Sequence, residues 1–167
     1  MTKEENIYEL KLSDLEETLR KLETINYKKW EIKTIENSLN NADGYYIGKE
    51  HITSRITYLK YCKIVISFSR IADLRDMKFY DLKIYKQDEI IAQYDPRNTT
   101  LDCDTKDGYD NLLINFYYKK FDKPEQEKRE LEELRIRESK LRTEKKVELI
   151  RQKKLAGKKS LFNSLLK

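Results

Sequence analysis

Ile56-Thr57-Tyr58-Leu59-Lys60-Tyr61-Cys62-Lys63-Ile64-Val65-Ile66-Ser67-Phe68-Ser69 decides the fold. Cys62, Ile64, Ile66 and Phe68 take every second position, and Lys63, Ser67 and Ser69 take alternate ones. Only an extended chain sorts such an alternation onto two faces, so residues 56–69 read as one long strand. Working outward, Tyr45-Tyr46-Ile47-Gly48 reads as a short first strand. On the other side Tyr80, Leu82 and Ile84 alternate with Asp81 and Lys83, and Lys86-Gln87-Asp88-Glu89 leads into Ile90-Ile91-Ala92-Gln93-Tyr94 as a hairpin would. Residues 95–110, with Pro96 and Gly108, read as the longest loop. Leu112, Ile114, Phe116 and Tyr118 alternate with Asn115 and Lys119, which predicts a last strand, with a short helix as the alternative.

Before Gly44 the period is different. Ser13-Asp14-Leu15-Glu16 has the form of a capping box, and Leu12, Leu15, Leu19, Leu22 and Ile25 recur at threes and fours. Ile32, Ile35 and Leu39 resume that spacing after Trp30, so the pattern predicts one helix that reaches Asn40-Asn41-Ala42-Asp43-Gly44 and stops there. Its apolar stripe reads as core contact. At the other end Pro124 suits a first helical turn, and no Gly or Pro interrupts the 33 residues from there to Ala156, about 50 Å if continuous. Leu131, Leu134, Leu141, Val147, Ile150 and Leu155 are sparse there, while Glu125/Arg129, Glu133/Arg137 and Glu138/Arg142 form i,i+4 pairs. Such a helix can protrude, pair along a thin coiled-coil seam with a second copy, or pack one edge on the sheet. Gly157 reads as its stop. The expected class is α+β: an antiparallel sheet of four or five strands, an N-terminal helix and a long charged C-terminal helix. Residues 1–122 form the core domain, 123–156 the helix and 157–167 a basic tail.

Charge is distributed unevenly. The chain has 167 residues, 35 Lys/Arg against 30 Asp/Glu, yet six of the cations (Arg151, Lys153, Lys154, Lys158, Lys159, Lys167) lie in the last 17 residues, which hold no acid. A cationic end on a balanced body concentrates positive potential where phosphates or an acidic surface can meet it. Arg151, Lys153, Lys154, Lys158 and Lys159 are the candidate nucleic-acid contacts. Charged residues at 39% and a mean hydropathy of −0.87 lean toward disorder, but twelve Tyr, five Phe and one Trp supply apolar area for a folded middle. Cys62 and Cys103 have no CxxC spacing, so neither a disulfide framework nor a zinc knuckle is expected, and a reducing cytoplasm is the expected compartment. MTKEENIYEL carries acids where a signal peptide needs an apolar run, and no stretch approaches a membrane span.

Tyr46-Ile47-Gly48 with Arg55 resembles the second half of the GIY-YIG nuclease signature, but no Gly-Ile-Tyr precedes it, and a turn at a strand end explains it better. Asp102, Asp104, Asp107 and Asp110 are carboxylates of the kind that hold hard cations. Placing Gly108 sixth in an EF-hand loop puts Cys103 first, which fails, so an acidic surface loop is expected. His51 is the sole histidine and has no nucleophile at a useful spacing; no enzyme, metal or cofactor is expected.

Lys159-Ser160-Leu161-Phe162 resembles the end of the short peptide that bacterial replication proteins insert into the sliding clamp, with Lys158 where that family has glutamine. The resemblance implies a clamp as partner, reached through Ser160, Leu161 and Phe162; an amphipathic tail folded on the sheet is the alternative. Asp43-Gly44-Tyr45-Tyr46-Ile47, then Lys63-Ile64-Val65-Ile66-Ser67-Phe68-Ser69, resemble small phage-borne inhibitors of type II-A CRISPR nucleases, which join a compact α/β core to a basic segment, there N-terminal. This implies a non-enzymatic inhibitor that binds a host nucleoprotein. Aromatic side chains give contact area at low entropic cost, so strand tyrosines facing away from Ile64, Ile66 and Phe68 are the partner-binding candidates: Tyr61 first, then Tyr85 and Tyr117. Partners are then a host protein or nucleoprotein with weak nucleic-acid contact, no membrane, and a homodimer through the long helix as a third reading.

Overall fold

The computed structural model describes residues 6–71 and 77–167. They form a six-stranded sheet with helices: β1 (Tyr8–Glu9), α1 (Leu12–Glu23), β2 (Glu31–Asn40), β3 (Tyr46–Leu59), β4 (Cys62–Ile71), β5 (Met77–Lys86), β6 (Glu89–Tyr94), α2 (Cys103–Tyr117) and α3 (Lys123–Leu165). The class is α+β. The sheet order is β1-β6-β5-β4-β3-β2; β2 to β6 are an antiparallel meander, and β1 lies parallel to β6. The sheet is thus mixed and six-stranded, where four or five antiparallel strands were expected. A two-residue strand such as β1 has no periodicity to read.

The expected first helix ends early. α1 starts at Leu12, with the Asp14 carboxylate accepting from the Lys11 N–H at 3.0 Å, so Asp14 caps the helix in place of Ser13 and Glu16. It stops at Glu23. The Asn26 side chain accepts from the Lys28 N–H at 3.0 Å and closes a single 3-10 turn, and β2 comes next. Ile32, Ile35 and Leu39 keep helical spacing by coincidence. The β-branched Ile32, Thr34 and Ile35 and ten paired positions on β3 outweigh it, and as an edge strand β2 leaves most of its residues exposed. The stop at residues 40–44 is real but turns a hairpin: the Asn41 side chain accepts from Asp43 and Tyr45 N–H groups, and Gly44 supplies the φ of +83° that a Cβ disfavours.

The 56–69 stretch is two strands. Leu59 pairs with Cys62, so Lys60 and Tyr61 form a two-residue turn, with Lys60 at φ 54°. Tyr46, Ile47 and Gly48 open β3 and are not a turn. The β5–β6 hairpin is as expected, with Gln87 and Asp88 both at positive φ, as a type I′ turn needs. The expected last strand is instead α2. Asp102 caps it, Oδ1 accepting from the Thr105 N–H at 2.7 Å, and Tyr109, Leu113, Phe116 and Tyr117 fall on one helical face. A π-helical stretch, Tyr118–Asp122, comes after it.

α1 and α2 cover one face of the sheet. Leu15, Leu19 and Leu22 meet Ile64, Ile66, Leu82, Ala92 and Tyr94, with Leu113, Phe116, Tyr117 and Phe121 closing the layer. Trp30 lies edge-on to Phe121 at 5.0 Å between ring centroids. Arg55 is buried on this face; its Nε donates to the Tyr117 hydroxyl at 3.4 Å and its guanidinium lies 4.8 Å from the Phe121 centroid, a cation over a ring. The chain divides into two compact units, Met1–Phe121 and Asp122–Lys167. In the second, α3 runs for 43 residues, about 64 Å, and buries none of them. It passes through Gly157, which the sequence marked as a stop. No described helix is long and apolar enough to cross a membrane.

Candidate functional site

Three places gather chemistry. The first is the sheet face away from α1 and α2. Register puts Tyr58, Lys63 and Tyr85 side by side across β3, β4 and β5, with Ile90 beyond. Tyr58 is 59% exposed and Tyr61, on the neighbouring turn, 92% exposed. The Lys63 ammonium sits 4.7 Å from the Tyr85 ring centroid. Tyr58, Tyr61, Lys63, Tyr85, Gln87 and Asp88 line a shallow concavity of about 170 Å³. The structure therefore unites two of the proposed contact tyrosines, Tyr61 and Tyr85, and adds Tyr58, which alternation along β3 identifies only once the turn at residues 60–61 is seen. Tyr61 belongs to that turn, not to a strand face. Tyr117 is excluded: it lies on α2, buried against Phe68, Tyr80 and Phe121.

The second is a polar row farther along the same sheet face. Ser54 and Ser67 hydroxyls lie 2.9 Å apart, and Asp81 pairs in register with Ser67. Arg97 reaches across: Nη1 donates to Glu50 Oε1 at 2.6 Å, Nε lies 3.7 Å from Asp95, Nη2 lies 3.9 Å from Asp81, and the guanidinium sits 5.3 Å from the Phe79 centroid. Burial works to lower the Arg97 pKa, but the Glu50 hydrogen bond and the surrounding carboxylates raise it on balance. Asp81 is only 4% exposed, and burial pushes its carboxyl up to about 6 against the opposing pull of Lys83 and Arg97. A contact at 3.9 Å qualifies as an ion pair, yet it is too long to offset the loss of water, so burial wins. Asp81 Oδ1 and Ser69 Oγ are buried without a partner. One guanidinium tied to three carboxylates makes this a structural clasp with little capacity left for a ligand.

The third is the C-terminal part of α3. At about 100° per residue, Val147, Arg151, Lys154, Leu155, Lys158, Leu161, Phe162, Leu165 and Leu166 fall within roughly 140° of arc. Leu131 lies opposite that arc, Leu134 and Leu141 lie just past one edge of it and Ile136 falls inside it, so the apolar positions drift around α3 and keep no single narrow seam. Arg151 and Lys158 run down the middle of the roughly 140° arc and Lys154 lies nearer its edge, while Lys153 and Lys159 stand outside it. Leu161 and Phe162 are 70% and 59% exposed. All five candidate nucleic-acid contacts and Ser160, Leu161 and Phe162 are thus helical residues of α3 rather than parts of a separate tail.

The remaining motifs resolve into structure. His51 is an exposed β3 residue whose Nδ1 lies 3.8 Å from Glu36 on β2. Asp102 caps α2, and Asp110 accepts from the Tyr94 hydroxyl at 2.6 Å. Burial, with that bond, raises the Tyr94 pKa. No group of three or more potential metal ligands occurs among the described residues. Comparison with protein-family models, curated proteins and solved structures gives no match to this chain.

Proposed function

We propose that the protein is a non-enzymatic binder of a host nucleoprotein, such as a CRISPR effector, and acts by occupying it. The observation that carries the reading is α3: from Arg151 onward it carries five cations and no acid, and none of its residues is buried. A fully presented cationic helix meets a polyanion by releasing the counterions that phosphates hold, and it needs no pocket for that. The compact unit supplies exposed tyrosines for specific contact.

Titration with a 20-base-pair duplex at several salt concentrations tests the electrostatic part. Five cations between residues 151 and 159 neutralise at most about five phosphates, so the log-log slope is expected no steeper than roughly −4.5. Absence of binding at low salt overturns the reading.

Adjacent exposure of Leu161 and Phe162 favours a second reading, docking on a sliding clamp. Leu161→Ala with Phe162→Ala then removes clamp binding on gel filtration and leaves duplex affinity unchanged, because the side chains supply pocket contacts and the lysines supply charge. A wild-type chain that never co-elutes with the clamp at micromolar concentration ends that reading. A dimer along α3 has less support, because the apolar positions are sparse and drift around the helix.

A further inference from the structure

The nucleoprotein reading gives the exposed tyrosines a contact role without saying what chemical group they meet. The geometry points to single-stranded nucleic acid, with unpaired bases stacking on Tyr58 and Tyr61 at the tip of the sheet; the inference rests on the chain being a nucleic-acid-associated protein. Base–aromatic stacking needs rings presented to solvent on a rigid support, and β3 and the 60–61 turn hold both rings so. Tyr85 differs, since Lys63 already occupies one side of its ring.

Size and charge agree with that occupant. An engineered cavity of about 150 Å³ accommodates a benzene ring, so the concavity of about 170 Å³ among Tyr58, Tyr61 and Tyr85 admits one planar ring. Lys63 lines it against Asp88, and Lys83, two residues before Tyr85 on the same face of β5, and Lys60 on the adjoining turn leave a positive surplus for the phosphates that accompany the base. Duplex DNA does not satisfy the site, because its base faces are already stacked on one another. A standard protein interface needs about 800 Å² per side, more than these rings supply, and the apolar neighbours on this face, Ile56, Val65 and Ile90, are already partly buried.

The test uses the full chain and fluorescence anisotropy at low salt, with a labelled dT12 oligonucleotide and a 20-base-pair duplex as probes. Tyr58→Ala and Tyr61→Ala are each expected to weaken dT12 binding about five- to hundredfold and to leave duplex binding unchanged. Tyr58→Phe and Tyr61→Phe keep the ring and are expected to keep the affinity. Reversing Lys153, Lys154, Lys158 and Lys159 to Glu lowers binding of both probes if the α3 reading is right, which separates the two ideas. Three results overturn the inference: no dT12 binding by the wild type while the duplex still binds, alanine variants that bind dT12 as the wild type does, or equal losses on both probes. Unchanged melting temperature in the alanine variants confirms that a loss is local.

Discussion

α2 turns four of its fifteen residues, Tyr109, Leu113, Phe116 and Tyr117, into the core, whereas the 43 residues of α3 bury none. α2 gains most of its stability from tertiary packing, so a short helix with a modest stripe is enough. α3 holds itself by length, by the good helix formers Glu, Lys, Arg and Leu, and by surface pairs such as Glu132–Arg135 and Glu148–Arg151. Exposed pairs contribute little each, and salt screens them. The difference teaches where stability and binding reside. Residues that hold the fold together are closed off in the first unit, and residues on α3 remain available to a partner.

Substitutions in the two regions sharpen that division. The largest effect is expected at Phe121, fully buried between Trp30, Phe116 and Tyr117: Phe121→Ala costs about 3–5 kcal/mol by cavity formation, a fall in melting temperature of ten degrees or more. Leu134→Ala on α3, although it also removes a large apolar side chain, is expected to leave that transition in place. Equal falls would break the comparison.

Asp81 comes next. Its folded pKa of about 6 lies above the ordinary value of 3.8, so the folded chain binds this proton more tightly than the unfolded chain. Stability from this group is greatest below pH 4 and falls as pH rises through 6. Asp81→Asn is therefore expected to stabilise at pH 7 by at most about 3 kcal/mol and to have little effect at pH 4. Urea titrations at both values check this, and a variant less stable at pH 7 than the wild type would show that the Arg97 contact outweighs burial. The smallest effect is on α3. A Cβ at Gly157 meets nothing within 4 Å, so Gly157→Ala should strengthen the helix by about 0.5–1 kcal/mol, read as a small gain in far-UV ellipticity without movement of the core transition.

The sequence disclosed α1, the β5–β6 hairpin and the start of α3 because each has a local signal: leucines at threes and fours, a polar four-residue turn, a proline in a first turn. It misled where two periods coincide. Ile32, Ile35 and Leu39 satisfy a helix yet lie on β2, and Leu112, Ile114 and Phe116 alternate as in a strand yet lie on α2. Tertiary contacts decided both, pairing on β3 for the first and burial of one helical face in the core for the second, and no window of ten residues contains them. The 60–61 turn lacks Gly, Asn or Asp, so nothing marked it, and the tyrosine parity count slipped with it. The cations were legible in composition alone. Their place on one continuous helix was not, because Gly157 is a valid stop only when the residues beyond it leave the helix, and Lys158 to Leu165 continue it.

The separation of folding from binding is tested most directly by one variant carrying Lys153→Glu, Lys154→Glu, Lys158→Glu and Lys159→Glu, measured for both melting temperature and duplex affinity at low salt. All four side chains lie on α3, where nothing is buried. The account predicts that duplex binding is abolished while the core transition moves by no more than a degree or two. Retained affinity would remove α3 as the electrostatic site, and a collapse of the core transition would show that α3 carries stability it has not been assigned.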